Sequence, residues 1–85
     1  MSYVVSIRRS VQKELDGISS PHYEKLEEKL LSLRDTPRPA GCKMLEGTEK
    51  NWRVRVADSR IVYEIDDRSK TITVIKIGRR SHIHR

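Results

Sequence analysis

The stretch WRVRVADSRIVYEID, residues 52–66, decides the fold. Apolar and polar residues alternate on both sides of a short polar break, and most of the apolar positions are β-branched or aromatic. This is the pattern of two half-buried strands joined as a hairpin. Asp58 and Ser59 are turn formers, so strands are predicted over 52–57 and 60–66 with those two residues as the turn. That register sets Ala57 opposite Arg60, Arg55 opposite Val62 and Arg53 opposite Glu64. Directly opposed residues share a face. Trp52, Val54, Val56, Ile61, Tyr63 and Ile65 therefore form an apolar surface, while Arg53, Arg55, Arg60 and Glu64 gather on the other. A three-residue turn would mix the arginines with Ile61 and Tyr63. On the polar face an Arg53–Glu64 pair is expected, worth about 0.2–1 kcal/mol when exposed.

Upstream, residues 3–7 are short, apolar and β-branched and read as a strand. Val11 and Leu15, four apart among polar residues, mark a helix over 9–15 that Gly17 ends. A second helix starts with Ser20 as its cap and Pro21 at the first helical position. Tyr23, Leu26, Leu30 and Leu33 follow one of its faces and Glu24, Lys25, Glu27, Glu28 and Lys29 the other. His22 lies within that charged face and reads as structural. A loop with Pro37, Pro39 and Gly41 follows, and a last strand is predicted over 71–77. The order is βααβββ, an α+β fold in which a helical hairpin packs on a small, mainly antiparallel twisted sheet.

A chain of 85 residues cannot bury two cores, so residues 1–85 are expected to form a single domain. With no Phe, the core rests on Leu, Ile and Val and is thin, which favours a stabilising partner. Eighteen Lys and Arg against twelve Asp and Glu give +6, which points to a polyanion, nucleic acid first. The one cysteine, Cys42, excludes an internal disulfide and has no evident His or Asp partner. Neither a signal-peptide core nor an apolar run of membrane-spanning length is seen, so a soluble, cytoplasmic protein with no membrane partner is expected. After Asp67 come six Lys or Arg, with His82 and His84, and no carboxylate. Two histidines without Cys, Asp or Glu beside them argue against a metal site, and no cofactor is expected.

LEGTEKNWRVRVADSRIVYEID (45–66) followed by IKIGRR (75–80) resembles the RelE/ParE superfamily of bacterial type II toxins, and more its RelE-like branch. The element order, the approach over 43–47, the WRVRV strand, the arginine opening RIVYEID and the Gly-Arg-Arg all fall at family spacing. The likeness covers nearly the whole chain. It implies an mRNA interferase, a ribosome-dependent, metal-independent endoribonuclease that cuts mRNA in the ribosomal A site and so inhibits translation. Its implied partner is a cognate RelB-like antitoxin that holds it inactive and carries the operator-DNA contact of the complex. The implied chemistry is attack of the ribose 2′-hydroxyl on the adjacent phosphate, giving a 2′,3′-cyclic phosphate. That reaction needs a base, an acid and positive charge around the phosphorane.

By resemblance, Arg53 and Arg55 flank the scissile phosphate, Arg60 stabilises it, and Arg80 serves the leaving group. His84 falls where many members carry a tyrosine, and Lys43, Arg79 and His82 are candidates for holding RNA. Where the family often has lysines, Arg53 and Arg55 stay charged above pH ~12 and can clamp but not accept a proton. Histidine titrates near neutrality, so His84 is the candidate for acid/base duty. Trp52 and Tyr63 share the phase of the apolar face and are expected in the core. The alternative reading is ParE-like, a fold that poisons DNA gyrase without nuclease activity. A plain nucleic-acid-binding module is a third, weakened by the lack of an exposed aromatic platform.

Overall fold

The computed structural model describes residues 2–45, 47 and 50–79, with Ser20 and Arg79 through the backbone alone. Its elements are β1 (Val4–Ile7), α1 (Arg9–Asp16), α2 (Ser20–Ser32), β2 (Lys43–Met44), β3 (Asn51–Val56), β4 (Ser59–Asp66) and β5 (Thr71–Arg79). The five strands form one sheet in the order β1-β5-β4-β3-β2, antiparallel except where β1 runs parallel to β5. The expected α+β architecture is therefore present, with one strand more than predicted. β2 is only two residues long and is placed by pairing with β3 rather than by any periodicity of its own.

Sequence pattern explains the helices. Val11 and Leu15 of α1 and Leu26, Leu30 and Leu33 in and just after α2 are buried, the three leucines lying along one face at helical spacing. Ser19, not Ser20, is the cap of α2, and Pro21 sits in the first turn, where its missing N–H leaves no bond unmade. Both helices lie on one side of the sheet, over Val54, Val56, Ile61, Tyr63, Ile65, Ile72, Val74 and Ile77. Burying a side chain such as Leu26 or Ile61 contributes about 1.5–3 kcal/mol relative to leaving it in water.

The β3–β4 hairpin has the predicted faces but not the predicted register. Val56 pairs with Ser59, Arg55 with Arg60, Val54 with Ile61 and Arg53 with Val62, so the turn residues are Ala57 and Asp58. The difference is a slide of two residues, and a slide of two leaves every side chain on its own face. Ala57 adopts φ 54°, a conformation that sequence reasoning does not expect of alanine, while Ser59 is drawn from the turn into the ladder and fully buried. The expected Arg53–Glu64 pair is accordingly absent: Arg53 faces Val62 and Glu64 faces Asn51, and no ion pair joins the two side chains. Tyr63 is in the core and donates a hydrogen bond from its hydroxyl to the Pro37 carbonyl at 2.8 Å. Trp52 is half-buried beside the core, its ring lying 5.0 Å from the Arg38 guanidinium.

Candidate functional site

Arginines reach the outer face of the sheet because each lies one residue out of phase with a core residue. Val54 and Val56 point into the core, so Arg53 and Arg55 point out. Ile61 points in, so Arg60 points out. The ladder then sets them side by side. Arg55 is opposite Arg60, whose partner on the far side is Gly78, and Arg53 is opposite Lys43. Gly41 makes the last placement possible. Its φ of 89° lies in the left-handed region, and it turns the loop after Pro39 so that Lys43 enters the sheet edge beside Arg53.

Lys43, Arg53, Arg55 and Arg60, with Gly41 and Val54, line a cavity of about 300 Å³. Among the described residues, no carboxylate lines it. Of the acids of β4 and the turn after it, Asp66 and Asp67 are engaged at the far end of the strand, while Glu64 stands opposite Asn51. Asp66 accepts hydrogen bonds from the backbone N–H groups of Ser69 and Arg68, which hold its carboxyl below the usual range. Asp67 accepts from Arg38 through both oxygens, at 2.9 and 3.4 Å, and from the Tyr3 hydroxyl at 2.6 Å. The Arg38 contact first, and Tyr3 next, lower the Asp67 pKa and the Asp67 contact raises that of Arg38. Burial pushes the Tyr63 phenol well above its ordinary range, so it remains a neutral donor. Four cations thus line one cavity with no carboxylate among its described lining residues, an arrangement that an incoming polyanion would relieve.

Four of the expected site residues, Lys43, Arg53, Arg55 and Arg60, thus converge. Arg79 is the last residue of β5 and its backbone pairs with Ser59. Arg80, His82 and His84 lie outside the described residues. Lys76 was missed. Strict alternation from Ile72 and Val74 would turn it inward, but a bulge shifts the register between Val62 and Tyr63, so Lys76 stands opposite Val62, exposed, and Ile77 is buried instead. The signal was a lysine in phase with the core. Among the described residues no three His, Cys, Asp or Glu side chains are grouped as metal ligands, and no helix is long and apolar enough to cross a membrane.

Residues 5–84 match the family described as ParE toxin of type II toxin-antitoxin system, parDE. The chain belongs to that family. Within the wider RelE/ParE superfamily its relatives place it on the RelE-like branch. It is similar to toxin RelE1 of Methanocaldococcus jannaschii, 29% identical over 83 residues that span 94% of this chain and 92% of that one. The archaeal RelE–RelB complex from Pyrococcus horikoshii OT3 is 30% identical with a TM-score of 0.85, covering 94% of this chain and 97% of its own. The intact E. coli RelBE toxin-antitoxin complex gives 25% and 0.80, with coverage of 92% and 96%. The chain is a RelE-like toxin of a type II toxin-antitoxin system.

Proposed function

We propose that this RelE-like toxin is a ribosome-dependent endoribonuclease that cleaves mRNA in the A site without a metal. The observation that supports this most is the cavity lined by Lys43, Arg53, Arg55 and Arg60, which has no carboxylate among its described lining residues. In the reaction the 2′-oxygen attacks the adjacent phosphorus and loses its proton to a base. The bond from phosphorus to the 5′-oxygen breaks, and that oxygen takes a proton from an acid. Negative charge grows on the phosphorane between these steps, where fixed guanidinium groups are most effective, a single such donor being worth about 10²–10³ in rate. Arg53 and Arg55 flank the phosphate, Arg60 binds it, and Lys43 and Arg79 hold the RNA backbone. None of these arginines can carry a proton. That role falls to His84, with Arg80 at the leaving group and His82 on the RNA.

The partner of this reading is a RelB-like antitoxin. Leu15, Tyr23, Leu30 and Leu31, with Gln12, Glu27 and Arg34, border a mainly apolar groove of about 360 Å³ between α1, α2 and β1, and Leu31 and Val4 are 56% and 67% exposed in its lining. An amphipathic antitoxin helix fits such a groove, and binding the folded state stabilises a thin core by mass action. The deciding experiment induces the toxin and maps RNA 5′ ends with and without ribosomes, beside a DNA supercoiling assay. Ribosome-dependent cuts at codon positions are expected. Intact messages with inhibited gyrase would replace this reading by the ParE-like one.

A further inference from the structure

Two arginines directly opposed on one sheet face repel each other, and the strands have an easy escape. The ladder bond from the Ile65 N–H to the Lys50 carbonyl makes 50 and 65 a hydrogen-bonded pair. By alternation Arg55 and Arg60 form a non-hydrogen-bonded pair, the kind in which side chains come closest. A slide of β3 by two residues keeps every core residue inside, separates Arg55 from Arg60, and places the good turn formers Asp58 and Ser59 in the turn. It also relieves Ala57 of its φ of 54°. Local propensity and charge both favour the slide, so another contact must oppose it.

That contact is made by the first turn of α2. Ser59, 0% exposed, lies with its Oγ 2.6 Å from Nε2 of His22, and the same nitrogen is 3.6 Å from Oδ1 of Asp58. The His22 side chain is 14% exposed, so the pair is largely shielded from water. The slide would carry Ser59 out of the ladder and into the turn, leaving a hydroxyl or a ring nitrogen buried without its partner. We infer that His22 is a positioning residue: through Ser59 it locks the β3–β4 hairpin in the register that sets Arg55 against Arg60. It touches no phosphate itself. The inference rests on the phosphate reading of the cavity only for its consequence, not for the lock.

NMR reads the register directly, because close Hα–Hα contacts arise only across non-hydrogen-bonded pairs. Wild type is expected to show the Arg55–Arg60 contact. His22→Leu should replace it with Arg55–Val62 and weaken binding of an uncleavable 2′-O-methyl single-stranded RNA by about tenfold at full folding. His22→Gln, whose amide reaches the same position, should restore both. If His22→Leu does not fold, Ser59→Ala removes the same bond with the ring in place and is read in the same way. Retention of the Arg55–Arg60 contact, or a shifted register with wild-type affinity, would overturn the proposal. Should wild type bind no RNA, the phosphate reading fails while the Hα–Hα contacts still decide the lock.

Discussion

Arg55 stands directly opposite Arg60, and the third residue of their row is Gly78, so two cations share a sheet face with no acid in line. Such a pair costs stability, a cost that the proposed phosphate site accounts for. Arg55→Gln is therefore expected to raise the melting temperature, by about 1–4 °C for a like-charge repulsion of a few tenths of a kcal/mol in a domain this small. The same variant should weaken single-stranded RNA binding and reduce the slope of log affinity against log salt by about 0.7, the value of one lost phosphate contact. Thermal melts and a salt titration by anisotropy check the two signs together. A fall in stability with an unchanged slope would mean that Arg55 is an ordinary solvated residue.

Which side chains face the arginine cavity was legible in the sequence; how they are paired was not. Phase alone puts Val54, Val56, Ile61 and Tyr63 inside and Arg53, Arg55 and Arg60 outside, because a sheet has two faces and only one is apolar. Register needs information from outside the strand. Here it comes from His22, 37 positions away from Ser59, and it holds although the pairing imposes a left-handed conformation on Ala57. The phase of Lys76 was lost for a related reason, since an unpaired bulge residue resets the alternation and only the partner strand shows where it falls. β2 is too short to have a pattern at all.

Asp67 ties three distant parts of the chain together, accepting from Tyr3 just before β1 and from Arg38 in the loop after α2. Its carboxyl is held below the ordinary value, first by Arg38 and then by Tyr3. A lowered carboxylate pKa contributes stability above the unfolded value of about 3.9 and loses it as pH falls through the folded value. Wild type should therefore exceed Asp67→Asn in melting temperature from neutral pH to about 5, with the gap closing below about pH 4. A gap that is constant across this range would show that the carboxylate charge is irrelevant to the contact. The acid limb left in Asp67→Asn belongs in part to Asp66, which is lowered by the N–H of Ser69.

Leu26 and Leu31 lie on the same helix with opposite fates, 0% and 56% exposed. Leu26→Ala empties a core site and should cost about 2–5 kcal/mol, a large part of the stability of a chain this size. Leu31→Asp should leave the isolated toxin's melt within about 0.5 kcal/mol of wild type. It should nevertheless reduce affinity for the RelB-like antitoxin, because it puts a charge in the apolar groove. Differential scanning of each variant with and without antitoxin separates the two. A Leu31→Asp toxin that is protected by antitoxin as fully as wild type would move the antitoxin to another surface.

The arginines of the cavity can hold the phosphate but cannot move the proton of the 2′-hydroxyl, since guanidinium stays charged throughout the range in which RNA is handled. The proposed cleavage assigns that step to a group that titrates near neutrality, and the pH profile tests the assignment. Single-turnover cleavage on ribosomes is expected to bend near pH 6.5, rising through that value if the base limits the rate and falling if the acid does. His84→Gln should lower the rate by about 10²–10⁴-fold and abolish the bend, with RNA affinity nearly kept because the arginines remain. An unchanged bend in that variant would assign the proton to another group, and a change in affinity alone would reduce His84 to stacking on the nucleotide.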